Sequence, residues 1–348
     1  MKYIVGGRNG QRALVIVLAL SCSGISWVKA QDDLWTSYKE HFVSADGRVV
    51  DTGNGRISHS EGQGYGMLLA ESNADQTTFS QIWKWTAQHL SRSEDHLFSW
   101  RWRPLFRGGL IDDHNDAADG DLLIAWALLR GADRWKTSEW RGKALAILND
   151  VKRKLIRTSR FGPLLLPGVD GFQKPDGVVV NLSYWLFPAF KAFSRADRDS
   201  NWSALEQSGL QLLSRARFGA LQLPPDWLSV NGDKVSVARD FEAVYGYNAV
   251  RIPLYLAWAR ITNPSYYEGF ARVAALNVIP AKIPLSGPFS TEAQTPALPG
   301  MVAIYQLVKA VGNWSQLDPP YQQIQAEETY YSASLGLLTN LVVRSAKQ

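Results

Sequence analysis

The sequence predicts an all-α fold with short β-hairpin insertions, and three observations carry that expectation. Apolar segments recur at helical spacing, and short breaks rich in Gly, Pro, Asn and Asp separate them. Strand-like alternation is confined to a few short patches, with no βαβ alternation, no GxGxxG and no phosphate-binding loop, which sets aside the doubly wound α/β class. No Pro- or Ser-rich linker divides the pattern, so residues 31–348 read as a single domain. An (α/α)6 barrel and a helical solenoid fit such a string of helices equally well.

The first thirty residues read as an export signal. Lys2, Arg8 and Arg12 form a basic segment, Ala13 to Leu20 is an apolar run too short to span a bilayer, and Val28-Lys29-Ala30 is a small-x-small cleavage pattern. The mature chain then starts at Gln31, secreted or periplasmic, with no stable membrane span. Removing residues 1–30 takes away the single cysteine, Cys22, and four positive charges, so the formal charge falls from +5 to +1. The basic character belongs to the signal, and nucleic-acid binding loses its support. The full sequence has the 46% hydrophobic and 20% charged content of a globular protein, but its 14 Trp are many for 348 residues.

Helices are expected to begin near Leu34, Glu61, Thr78, Asp119, Ser138, Leu182, Trp202, Ala243, Pro264, Glu292 and Glu327, with one more within 312–325. Ser60 is placed to cap the second, and Asn263-Pro264 puts Pro at a first helical position. Strand candidates are Phe161 to Val169, Gly177 to Val180, and Leu221 to Val237, where Asn231-Gly232 reads as a hairpin turn.

Two segments carry candidate chemistry. In Ser60-Glu61-Gly62-Gln63-Gly64-Tyr65-Gly66-Met67 three glycines alternate where a helix starts. Each weakens a helix interior by roughly 1 kcal/mol, so something must approach this backbone closely. The plain alternative is that Glu61 only decorates a helix terminus, where the dipole favours an acid. His59-Ser60-Glu61 also has the H-x-E form of zinc deaminases, but those need a downstream P-C-x-x-C that a chain without cysteine lacks. The second segment, 112–121, holds Asp112, Asp113, Asp116, Asp119 and Asp121 ahead of the apolar helix from Leu122. A solvated helix start is one reading, and a carboxylate grip on sugar hydroxyls is another. The spacing does not match an EF-hand calcium loop.

Together these segments resemble glycoside hydrolase family 8. The run 60–67 is similar to that family's proton-donor motif, and Ala117-Ala118-Asp119-Gly120-Asp121 through Ile124-Ala125 to Trp135 is similar to its signature. Ala118 stands where Ser or Thr is usual, and Gly131 where Ala is usual. Asn181-Leu182-Ser183-Tyr184-Trp185, the stretch Tyr245 to Pro253, and Tyr330-Tyr331 resemble later motifs in the same order.

The resemblance implies an (α/α)6 barrel hydrolysing a β-1,4-glucan with inversion, an endoglucanase of the cellulase type. It implies Glu61 as general acid, Asp119 as the carboxylate that holds the sugar, and Tyr184 and Arg251 as orienting neighbours. It calls for no metal and no organic cofactor, and it suggests association with cellulose-synthesis machinery. Chitosan, xylan and mixed-linkage glucan are alternative substrates.

One departure matters. Asn248 occupies the position where many members carry the catalytic base, and an amide cannot take a proton from water. Asp119, Asp240 and Glu242 are the nearby candidates, with Asp119 and Glu242 preferred. A glycan-binding protein weakened in catalysis is therefore a rival reading, and a helical-repeat scaffold a third. Trp35, Trp83, Trp85, Trp100, Trp102, Trp126, Trp185 and Trp227 are candidate sugar platforms. Trp83 and Trp126 have core spacing, whereas Trp100 and Trp102, read as lying in a loop with two Arg, are the better cleft candidates.

Overall fold

The computed structural model describes residues 23–199, 201–290 and 294–347. The basic and apolar parts of the expected signal, Cys22 and the helix start expected at Glu292 lie outside them. The chain order is α1 (Ser23–Phe42), β1 (Ser58–His59), α2 (Ser60–Ser72), α3 (Gln76–His89), β2 (Ser99–Pro104), β3 (Gly109–Asp116), α4 (Ala118–Trp135) and α5 (Ser138–Leu155). There follow β4 (Ile156–Ser159), β5 (Gly162–Leu165), β6 (Gln173–Lys174), β7 (Gly177–Val180), α6 (Phe187–Asp197), α7 (Asn201–Arg215), β8 (Leu228–Asn231), β9 (Lys234–Val237) and β10 (Val244–Tyr245). The remainder is α8 (Arg251–Trp258), α9 (Glu268–Ala274), β11 (Ile283–Pro284), α10 (Pro299–Lys309) and α11 (Tyr330–Ala346).

Helix character in the sequence sorts these helices into two layers. In α4, α8 and α11 nearly every residue is buried, the mark of a helix enclosed on all sides. Helices α3, α5 and α7 bury one stripe and expose the other, as surface helices do. Contacts agree with that division. The helices α2, α4, α6, α8, α10 and α11 pack neighbour to neighbour, and α11 returns to α2 to close a ring. Outside them α3 lies on α2, α5 on α4, α7 on α6, α9 on α10 and α1 on α11. Among the described residues no helix is long and apolar enough to cross a membrane.

The glycines of α2 are explained by this crowding. A Cβ on Gly64 would stand 2.5 Å from the Leu123 side chain of α4, and one on Gly66 2.7 Å from Val49. A Cβ on Gly120 of α4 would fall 2.0 Å from the Ser60 hydroxyl and 2.8 Å from the Glu61 nitrogen. What comes close to this backbone is therefore the neighbouring chain itself.

Several expected boundaries move. The start expected at Leu182 is a 3-10 turn, Leu182–Tyr184, and the α-helix waits for Phe187-Pro188. Ala243 leads into β10, paired with β11, and α8 begins only at Arg251. Pro264 opens another 3-10 turn before α9, and the extra helix within 312–325 is a single 3-10 turn at Trp314–Gln316. The helix expected from Leu34 starts earlier and runs through the expected cleavage point. The hairpin at 231–232 is present: Asn231 pairs with Lys234, and Gly232 at φ +60° takes the first position of the two-residue turn.

The antiparallel sheet β1-β2-β3 has no counterpart in the expectations. The segment around Trp100 and Trp102, expected as a loop, is its central strand. Asp112 of β3 is neutralised across the strands, accepting from Arg101 at 2.8 Å and also paired with Arg103.

Candidate active site

The N-terminal ends of α2, α4, α8 and α11 converge, bringing Glu61, Asp119, Arg251 and Tyr330 together, although α2 and α11 start 270 residues apart. Helix N-termini carry partial positive charge, so this is where a fold of this kind tolerates buried carboxylates. Glu61 sits in the first turn of α2. The cap is His59 and not Ser60: His59 Nδ1 accepts the Gly62 N–H at 3.1 Å. His59 Nε2 lies 3.3 Å from Asp51 Oδ2.

Arg251, only 2% exposed, is the hub. Its Nη1 donates to Glu61 Oε2 and, at 2.9 Å, to Asp119 Oδ2. Its Nη2 donates to Ser183 Oγ at 2.9 Å and Asn248 Oδ1 at 2.8 Å. The guanidinium lies over the Tyr184 ring, 5.6 Å from its centroid. Glu61 Oε1 accepts from the Tyr330 hydroxyl at 3.2 Å. Asp119 Oδ1 accepts the Gly120 N–H at 2.9 Å.

Both carboxyls meet at Arg251 Nη1, so each lies in the other's field. Burial and the adjacent Glu61 carboxylate push Asp119 up to about 7 against the pull of Arg251. Burial also works to raise Glu61, but Arg251 and His59 outweigh it and hold its pKa low. The pair thus keeps one proton, resting on Asp119, under a single guanidinium.

Of the residues the sequence singled out, Glu61, Asp119, Tyr184, Asn248 and Arg251 are brought together. Glu242 is not: its side chain is 62% exposed and ion-paired with Lys282 at the surface. Asp240 likewise pairs with Lys174 and is 64% exposed. Trp102 is corrected from cleft to core, because its ring is buried against Trp85 and under Arg48. Trp100 remains half-buried, with its Nε1 on Asp113 at 2.7 Å and Arg101 over its ring. Trp35, Trp85, Trp126 and Trp185 are core residues. Trp227 lies edge-on to Tyr184 and stacks between Phe172 and Phe241, an aromatic row leading away from Arg251.

Sequence reasoning missed Ser183 as an Arg251 ligand and the Tyr330 hydroxyl on Glu61. Both lie inside segments it had singled out, so only the pairings were hidden. It missed Asp226 altogether. Asp226 is 6% exposed and accepts the backbone N–H groups of Gly246 at 2.9 Å and Ala249 at 2.8 Å.

Residues 8–345 match the family described as Glycosyl hydrolases family 8. The chain is 38% identical over 315 residues to a probable endoglucanase of Novacetimonas hansenii, covering 87% of this chain and 88% of that protein. It is similar in structure to the family 8 endoglucanase of Klebsiella pneumoniae, with a TM-score of 0.82, 34% identity, and coverage of 91% of this chain and 100% of that one. A family 8 endo-β-1,4-glucanase from an Achatina fulica gut metagenomic library also gives 0.82, at 35% identity over 90% of this chain and 97% of that one.

Proposed function

Since the chain belongs to glycosyl hydrolases family 8, and is thereby a glycoside hydrolase, we propose that it is an exported endo-β-1,4-glucanase acting with inversion from an (α/α)6 barrel. The closed ring of six helices within an outer layer supports the barrel. The names of its relatives support the substrate. The observation that carries the chemistry is the convergence of two carboxyls, Glu61 and Asp119, on the one guanidinium of Arg251.

In this reading Glu61 is the general acid. As the glycosidic oxygen approaches, the proton on Asp119 passes to Glu61, and Glu61 delivers that same proton to the leaving oxygen. Asp119 is left ionised, with Arg251 beside it to neutralise the charge. Inversion then needs a carboxylate to take a proton from the attacking water, with the two carboxyls roughly 6.5–9.5 Å apart. A glycan seated between Glu61 and Asp119 spreads them toward that spacing, and the ionised Asp119 becomes the acceptor. Asn248 does not serve, because it is an amide and its oxygen already accepts from Arg251. Glu242 takes the role only if substrate breaks its ion pair with Lys282. Trp100, half-buried, offers an aromatic face to a sugar ring.

Export through residues 1–30 and a place beside cellulose-synthesis machinery belong to the same proposal. The amide at 248 favours a second reading, a glycan-binding protein with weak turnover.

Reducing-end release from carboxymethyl cellulose, chitosan and xylan separates these readings. The wild type is expected to cut the first best, and Glu61→Gln to lose about 10²–10⁴ in rate, the usual effect of removing a general acid or base. No release from any of the three by wild type, with release by Asn248→Asp, would establish the binder instead.

A further inference from the structure

Asn248 and Arg251 both depend on one short piece of backbone. The turn 246–249 leaves β10 and feeds α8 through three backbone bonds: Val250 N–H to Gly246 O, Arg251 N–H to Asn248 O, and Ile252 N–H to Ala249 O. Beneath this turn lies Asp226, which neither the sequence motifs nor the proposed mechanism uses. One oxygen of its carboxylate accepts from both Gly246 and Ala249, the residues two before and one after Asn248. Its own N–H donates to Val244 O at 2.8 Å, so the strand and the turn are fastened at the same residue. A buried carboxylate is costly to keep, and this one spends its hydrogen bonds on backbone amides of a single turn. The turn in turn fixes the root of the arginine that joins Glu61 to Asp119.

We infer that Asp226 is a positioning residue of the catalytic centre: its clamp on the Gly246 and Ala249 amides sets where Asn248 and Arg251 stand over the Glu61–Asp119 pair. It acts through the turn and touches no substrate. The inference rests on the hydrolase reading given above.

The two substitutions Asp226→Asn and Asp226→Ala test it in the full chain. Asn keeps an acceptor oxygen in the same place without the charge, whereas Ala leaves both amides without a partner. Asp226→Ala is expected to lower kcat on carboxymethyl cellulose by roughly ten- to a hundredfold, the effect of misplacing groups near the chemistry. Its KM should move much less. Asp226→Asn should restore kcat to within about threefold of wild type, a fraction of a kcal/mol in barrier. Hydrogen exchange at the Gly246 and Ala249 amides should speed up in the Ala variant and stay slow in the Asn variant. That measurement stands apart from turnover, so an inactive wild type would sink the hydrolase reading while the exchange still judged the clamp.

Unchanged kcat and unchanged exchange in Asp226→Ala would overturn the inference. So would an Asn variant as inactive as the Ala variant, because charge at 226 would then be the requirement and the residue would be a proton acceptor. Should the Ala variant not fold, the Asn variant decides alone: near-wild-type kcat supports the clamp, and a loss beyond about a hundredfold refutes it.

Discussion

At the scale of single residues, one proton and one guanidinium govern the site. Asp119 ionises near 3.8 when unfolded and near 7 in the folded protein. Between those values the folded state holds the extra proton. The Asp119 contribution to stability is therefore complete below about pH 4 and is lost as pH rises through about 7. Glu61 behaves oppositely, its contribution present above its unfolded value of 4.5 and lost only as pH falls through its lowered pKa. Denaturant unfolding from pH 4 to 7 should show wild type losing more stability than Asp119→Asn, and parallel curves would contradict the shared proton. The same proton sets an alkaline limb in kcat/KM, falling about tenfold per unit above pH 7 or so. Arg251→Met leaves Glu61 and Asp119 buried without their cation, and urea titration should register a loss of about 3–5 kcal/mol. Glu61, Asp119 and Arg251 were legible because their neighbours in sequence are distinctive. Asp226 was not, because Pro225-Asp226-Trp227 reads as an ordinary turn until the fold lays another turn on top of it.

At the scale of elements, the meeting of α2 and α4 decides how well Glu61 is placed. Two helices approach so closely here that Gly64 and Gly120 each meet the other helix where a side chain would begin. Gly64→Ala should destabilise the protein by about 1–3 kcal/mol in a thermal or urea melt, as overpacking does. Gly120→Ala should do more harm to turnover than to stability, because its methyl group meets the Glu61 nitrogen and displaces the acid itself. Equal harm to both would mean that the contact only packs the helices. The glycine run announced a close approach in the sequence, but not which neighbour makes it. The three-stranded sheet was illegible for a different reason. Its Trp-Arg-Trp-Arg and Asp-rich strands look like loops until the cross-strand pairs of Asp112 with Arg101 and Arg103 are formed.

At the scale of the whole molecule, helical character could be read from the sequence, while the closure of the ring could not, since a solenoid has the same pattern. Closure depends on contacts between α11 and α2 at opposite ends of the chain. At the N-terminal side, Leu34, Trp35, Tyr38 and Phe42 of α1 are buried, and all lie beyond the expected cleavage point. A chain starting at Gln31 is therefore expected to melt within a degree or two of one that keeps residues 23–30, because these apolar anchors of α1 all stay in place. A drop of several degrees would show that the segment belongs to the fold. Tyr330, the hydroxyl partner of Glu61, opens α11, 269 residues further along the chain. All of the chain from residue 61 to residue 330 has thus to leave the ribosome before Glu61 can meet this partner, so no shorter nascent fragment holds the carboxyl in its final place.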